Sequence, residues 1–176
     1  MADQIVFQPM EADYLLAAKA FYRRQIRSRR FLGRLAMLAG FALLLVVCCL
    51  LLLGTGILEA LTSGAVGALA GMAALIPCLG LNYLLLPRRV RRLFRQSKSQ
   101  HQPMTFKWSF DEASWHSEYA QQQMPWLSYH GWLETGSVYL LYLNDNLYQF
   151  VPRHILSANQ DEDLRNVLVA SGLPRR

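Results

Sequence analysis

The sequence predicts an α+β membrane protein: a two-helix transmembrane hairpin followed by a small C-terminal antiparallel β domain closed by a helix. Three observations carry that reading. Residues 35–53 contain no charged side chain, and the run extends through Gly54, Thr55 and Gly56 to Leu58. Residues 65–86 repeat the pattern, again without a charge. Beyond residue 103 the chain becomes dense in strand-forming and aromatic residues. At ~1.5 Å rise per residue, about 20 apolar residues span the ~30 Å hydrocarbon core of a bilayer. Neither run has the polar face of a helix packed in a soluble core. The chain accordingly divides into an N-terminal strand and basic helix (1–34), the hairpin (35–86), a basic linker (87–102) and the β domain (103–176).

In chain order, Ile5, Val6 and Phe7 form a short strand closed by Pro9. Residues 11–30 read as a helix, because Tyr14, Leu15, Ala18, Phe21, Tyr22 and Ile26 recur at spacings of three and four. This helix either continues into the first span or breaks near Gly33. Lys19, Arg23, Arg24, Arg27, Arg29, Arg30 and Arg34 precede the first span, and Arg88, Arg89, Arg91, Arg92, Arg95 and Lys98 follow the second. The turn expected at residues 59–64 has Glu59 and no Lys or Arg. By the positive-inside rule both termini are cytoplasmic and the turn faces outward. The first apolar run starts too far along the chain for a signal peptide and is expected to stay as an anchor. Arg23, Arg27, Arg30, Arg88, Arg89 and Arg92 are candidate contacts for anionic lipid head groups, at about 1 kcal/mol per basic residue near the surface. The same charges also serve as a plain topological stop.

Within the second span, Gly64, Gly67, Gly71, Ala74 and Cys78 place small residues along one helical strip, and Gly33, Ala36 and Gly40 do so at the start of the first. Small residues let helix backbones approach in lipid. The strip is a candidate packing face, either within the hairpin or between two copies in a homodimer. Pro77 is expected to bend or loosen the helix. Cys48, Cys49 and Cys78 all lie in the spans and read as small apolar residues, not as a metal or disulfide framework.

Residues 96–102 read as a polar linker. Met104, Phe106, Trp108 and Phe110 then alternate with Thr105, Lys107 and Ser109, the signature of a half-buried strand. A turn at residues 111–113 allows residues 114–119 to return antiparallel. The aromatics of residues 126–133 suit either a turn of helix or a bulged strand. Residues 138–143 and 147–151 are strands joined by Asn144, Asp145 and Asn146, which tolerate tight turns. Residues 161–171 form a closing helix, acidic in its first turn and stopped by Gly172 and Pro174.

Pro125, Trp126, Tyr129, Trp132 and Glu134, residues 138–143, and then Tyr148, Phe150, Val151, Pro152, Arg153 and Ile155 together carry a resemblance to the YcxB-like family of bacterial membrane proteins. His154 and Ile155 stand where the family exit carries an aromatic residue after the basic one. The resemblance implies a small pleckstrin-homology-like β module beneath the bacterial inner membrane. It implies no catalytic residues.

The net charge of +6 is concentrated at the spans, while the segment after Pro103 carries more Asp and Glu than Lys and Arg. That distribution gives no case for nucleic-acid binding. His101, His116, His130 and His154 are scattered, none at metal-ligand spacing, and neither a nucleophile elbow nor a phosphate loop occurs. No catalytic, metal or cofactor site is expected. Trp108, Trp115, Trp126, Tyr129 and Trp132 supply a core for a small domain. Because not all of them can point inward, Trp126, Tyr129 and Trp132 are the candidate partner surface.

Three function classes stay open. The first is a non-enzymatic membrane-tethered module, regulatory or scaffolding, whose β domain binds a protein or lipid partner. The second is an immunity-type protein that neutralises a cognate toxin at the inner membrane. The third, with least support, is a lipid-modifying enzyme.

Overall fold

The computed structural model describes residues 3–97 and 101–176, so the linker expected at residues 96–102 lies partly, and Lys98 wholly, outside the described residues. It is an α+β structure with strands β1 (Asp3–Phe7), β2 (Met104–Trp108), β3 (Glu112–His116), β4 (Gln121–Pro125), β5 (Gly131–Glu134), β6 (Val138–Tyr142) and β7 (Tyr148–Pro152). The helices are α1 (Glu11–Arg27), α2 (Arg29–Leu52), α3 (Ile57–Gln96) and α4 (Ala158–Ala170). Two compact units emerge: the chain up to Phe21 with Pro87–Arg176, and Tyr22–Leu86. Residues 3–21, part of the N-terminal segment that the sequence sets apart as 1–34, thus group with the β strands.

In the β unit, one antiparallel sheet has the order β1-β2-β3-β4 and the other β5-β6-β7. Strand β1 pairs with β2 from Asp3 opposite Trp108 to Phe7 opposite Met104. Register follows the alternation of apolar residues, since a slip of one would turn Phe106 and Trp108 to water. Both are buried, with Trp132, Tyr139, Leu141 and Val151 from the second sheet. Strand β6 is buried along its whole length. Tyr139 and Leu141 point to this main core, while Val138, Leu140 and Tyr142 meet Ala17 of α1 on the opposite face.

Helix α4 starts one turn before the expected boundary. The Ser157 hydroxyl accepts from the Gln160 N–H, the Gln160 side chain accepts from the Ser157 N–H, and this capping box satisfies two helix-end donors. Leu164 and Leu168, one turn apart, are buried in the main core.

Residues 174–176 lie along the edge of β5. The Trp132 N–H donates to the Pro174 carbonyl at 3.1 Å, and the Arg176 N–H donates to the Trp132 carbonyl at 2.8 Å. Gly131 has φ +150°, and a Cβ there would sit 2.7 Å from the Pro174 oxygen, so the close approach requires glycine.

In Tyr22–Leu86, two helices are long and apolar enough to cross a membrane. Phe31, Leu35, Ala39, Leu43 and Val47 of α2 are half-buried at intervals of four, and Ala60 and Gly64 of α3 are buried. The helix break falls at Ser28, not near Gly33, because the Ser28 hydroxyl caps α2 by accepting from the Phe31 N–H. The turn also differs from expectation. It occupies residues 53–56, where Gly54 adopts φ +83° and the Thr55 hydroxyl donates to the Leu50 carbonyl at 2.7 Å. Residues 59–64 are therefore helical. Helix α3 continues without interruption past Pro77 and through Arg88–Arg95, so the first part of the expected linker is helix.

Candidate functional site

Arg88, Arg91, Arg92 and Arg95 recur at i, i+3, i+4 and i+7 on the last turns of α3, a spacing that puts them on one face. With Gln96 they border an open concavity of about 440 Å³. The Arg91 Nε donates to Glu11 Oε1 at 2.7 Å, which anchors the start of α1 to this face. Arg88, Arg89 and Arg92 are exposed, as are Arg27 and Arg30. Guanidinium groups present fixed forks of N–H donors that match phosphate oxygens, so the face can hold phosphate-bearing groups. Arg23, also exposed, donates from Nη2 to the Tyr83 hydroxyl at 3.1 Å and stacks 6.0 Å from that ring.

Of the candidate packing strip, Gly64 fits the expectation of contact within the hairpin, since a Cβ there would meet Val47 at 2.9 Å and Leu43 at 3.1 Å. Gly67 and Gly71 have nothing within 4 Å of such a Cβ, and Ala74 and Cys78 are exposed. The strip thus packs within the hairpin only at its first residue.

The candidate partner surface has to be corrected. Trp126, Tyr129 and Trp132 are 2%, 4% and 1% exposed and belong to the main core. Two of their polar tips are satisfied internally. The Trp126 Nε1 donates to the Ser109 carbonyl at 2.9 Å, and the Tyr129 hydroxyl accepts from Trp115 Nε1 at 3.2 Å and donates to Gln149 Oε1 at 2.9 Å. Large amphipathic rings with a bonded tip can be fully interior, and the sequence spacing does not distinguish them from rings held at a surface.

Sequence reasoning missed a charged network at the end of the second sheet. Glu134, with a nearly buried side chain, pairs with Arg165, with Arg153 Nη1 at 3.4 Å and with Arg175 Nη2 at 3.0 Å. Asp161 accepts from Arg153 Nε at 2.8 Å and from the Tyr139 hydroxyl at 3.0 Å. Burial pushes the Asp161 carboxyl up, but hydrogen bonds from Arg153 and Tyr139 and the charges of Arg153 and Arg165 outweigh it, so its pKa lies below the usual value. Burial and the adjoining Asp161 push the Tyr139 phenol up to about 12. The only sequence signal was the presence of Glu134 and Arg153 in the family-like pattern. This network ties β5, the residue after β7, α4 and residue 175 together, and Arg153 and Asp161 also line an open cleft of about 550 Å³.

Residues 113–168, from β3 into the last turns of α4, match the sequence model of the YcxB-like protein family. No curated protein and no solved structure matches the chain.

Proposed function

We propose that this chain is a non-enzymatic, membrane-tethered binding module of the bacterial inner membrane. Its two apolar helices anchor it with both termini cytoplasmic, and its β unit, a pleckstrin-homology-like fold closed by α4, recognises a lipid or protein partner. The reading rests on one observation above all. Helix α3 passes without a break from a charge-free apolar stretch into Arg88, Arg91, Arg92 and Arg95. On a membrane-crossing helix, arginines that follow the apolar stretch directly meet the head-group layer, where each basic residue is attracted to anionic lipid by about 1 kcal/mol.

The test is lipid retention by full-length protein extracted gently from a bilayer of mixed phosphatidylcholine and phosphatidylglycerol. Mass spectrometry of the retained lipid is expected to find phosphatidylglycerol enriched, and the enrichment is expected to fall in an Arg88→Ala, Arg92→Ala, Arg95→Ala variant. Equal retention by the two proteins removes the arginine face from the proposal.

A further inference from the structure

Away from the arginine face, the β unit contains a cleft of about 410 Å³ between β7, the start of α1 and the ends of β1, β2 and β3. Its size falls within the ordinary range of small-molecule sites, roughly 300–1,000 Å³. Phe7, Tyr14, Met104, Trp115, Tyr148 and Phe150 form its walls. Tyr14 and Phe150 meet edge to face with ring centroids 4.8 Å apart, which fixes one wall.

The base of the cleft is an ordered chain of amides. Because Trp115 donates to the Tyr129 hydroxyl, that hydroxyl gives its own proton to Gln149 Oε1, which turns the Gln149 amide nitrogen toward Gln122. Gln149 Nε2 then donates to Gln122 Oε1 at 2.8 Å, and Gln122 Nε2 donates to the Met124 sulfur, a weak acceptor. Each primary amide carries two N–H donors, and this chain uses one from each. The second donor of each amide is available to a carbonyl, ester or hydroxyl oxygen.

No Asp, Glu, Lys or Arg lines the cleft, His116 is exposed at its rim, and burial holds the Tyr14 and Tyr148 phenols neutral, pushed up to about 12. An ionised head group here would lose its hydration without gaining a counter-charge. Apolar walls, amide donors at the base and missing charge together select an uncharged molecule with one apolar arm and one oxygen-bearing end.

We propose that this cleft binds a neutral single-chain amphiphile, with its aliphatic chain against the aromatic walls and its ester or hydroxyl head on Gln122 and Gln149. Recognition stands on the cleft alone. Only the supply of ligand draws on the proposed membrane tether, which would keep the unit beside a bilayer in which such molecules concentrate.

The test uses full-length protein in phosphatidylcholine nanodiscs and a monoacylglycerol brominated at mid-chain, delivered from cyclodextrin. Bromine quenches tryptophan at contact distance, and Trp115 lines the cleft. Saturable quenching is expected. It should disappear in Trp115→Phe, and its half-point should rise about tenfold or more in Ala120→Phe, which fills the exposed mouth, and in Gln122→Glu, which sets a charge at the base. Ala120→Phe and Gln122→Glu are compared where tryptophan emission matches the parent, and Trp115→Phe where its far-ultraviolet dichroism and thermal unfolding midpoint do. Three results each overturn the proposal: no saturable quenching, quenching that persists in Trp115→Phe, and equal quenching by a brominated lysophosphatidic acid. Retention of phosphatidylglycerol by the arginine face is measured separately, so either reading can fail without the other.

Discussion

Glu134 draws three guanidinium groups to one nearly buried carboxylate, from β7's exit, α4 and the segment along β5. Removing one partner of a buried ion pair leaves the other charges uncompensated, at a cost of about 3–5 kcal/mol. Solvent reaches the arginines, whose side chains are 24%, 42% and 64% exposed, so Glu134→Gln is expected to lower the stability of the β unit by less than that, measured as the denaturant midpoint of tryptophan emission. A change under about 0.5 kcal/mol would mean that solvent already screens the network. Asp161 makes a pH prediction of definite sign. Its pKa is lower in the folded protein than in the unfolded chain, so its contribution is present above the ordinary carboxylate range and is lost as pH falls through the folded value. Between about pH 6 and about pH 3 the parent is expected to lose more stability than Asp161→Asn, which cannot titrate there. Parallel curves would assign the acid response to other carboxylates.

At the scale of elements, sequence legibility tracks the periodicity of side chains. Strands β1, β2, β6 and β7 were readable because Phe106 and Trp108, or Tyr139 and Leu141, alternate against polar or oppositely buried neighbours. Strand β4 was not, since Gln121, Gln122 and Gln123 have no apolar pattern and depend on pairing with β3. The early end of α2 was hidden for the opposite reason. Residues 52–58 carry no charge and one polar side chain, and the turn is marked by Gly54 at positive φ and by the bond from that side chain, Thr55, to the Leu50 carbonyl. The small-residue strip was legible as a motif, but which residue makes contact was not, because helical spacing does not place the partner helix. That distinction gives a paired test. Gly64→Leu would drive a side chain into Val47 and Leu43, and overpacking of this kind costs about 1–3 kcal/mol. Gly67→Leu enters open space and is expected to change stability by less than about 0.5 kcal/mol. Thermal unfolding of both variants in one detergent decides it. Equal losses would mean that another helix occupies the Gly67 face.

For the whole molecule, the proposed function depends on orientation, and orientation depends on charge outside the two apolar helices. The turn at residues 53–56 has no charged residue, and Glu59 is the nearest one on its C-terminal side. Arginines flank the apolar stretches at both other ends. Because charge bias of Lys and Arg in short flanks sets topology, both ends should lie on the same side of the membrane. Cys48, Cys49 and Cys78 are the only thiols, so their replacement by serine leaves a background on which single cysteines report sidedness. A cysteine placed at Gly56 is expected to react with a membrane-impermeant maleimide in intact spheroplasts. Cysteines at Ser97 and Ser171 should react only after the membrane is opened. Labelling of all three before opening would remove the hairpin, and labelling of Ser171→Cys alone would place the β unit outside the cytoplasm. Either pattern would separate the arginine face of α3 from the anionic cytoplasmic leaflet on which the proposed function rests. The reverse charge test gives the same argument a second handle: adding three lysines within residues 53–58 opposes the bias at the other ends, so the fraction of molecules with the expected labelling pattern should fall.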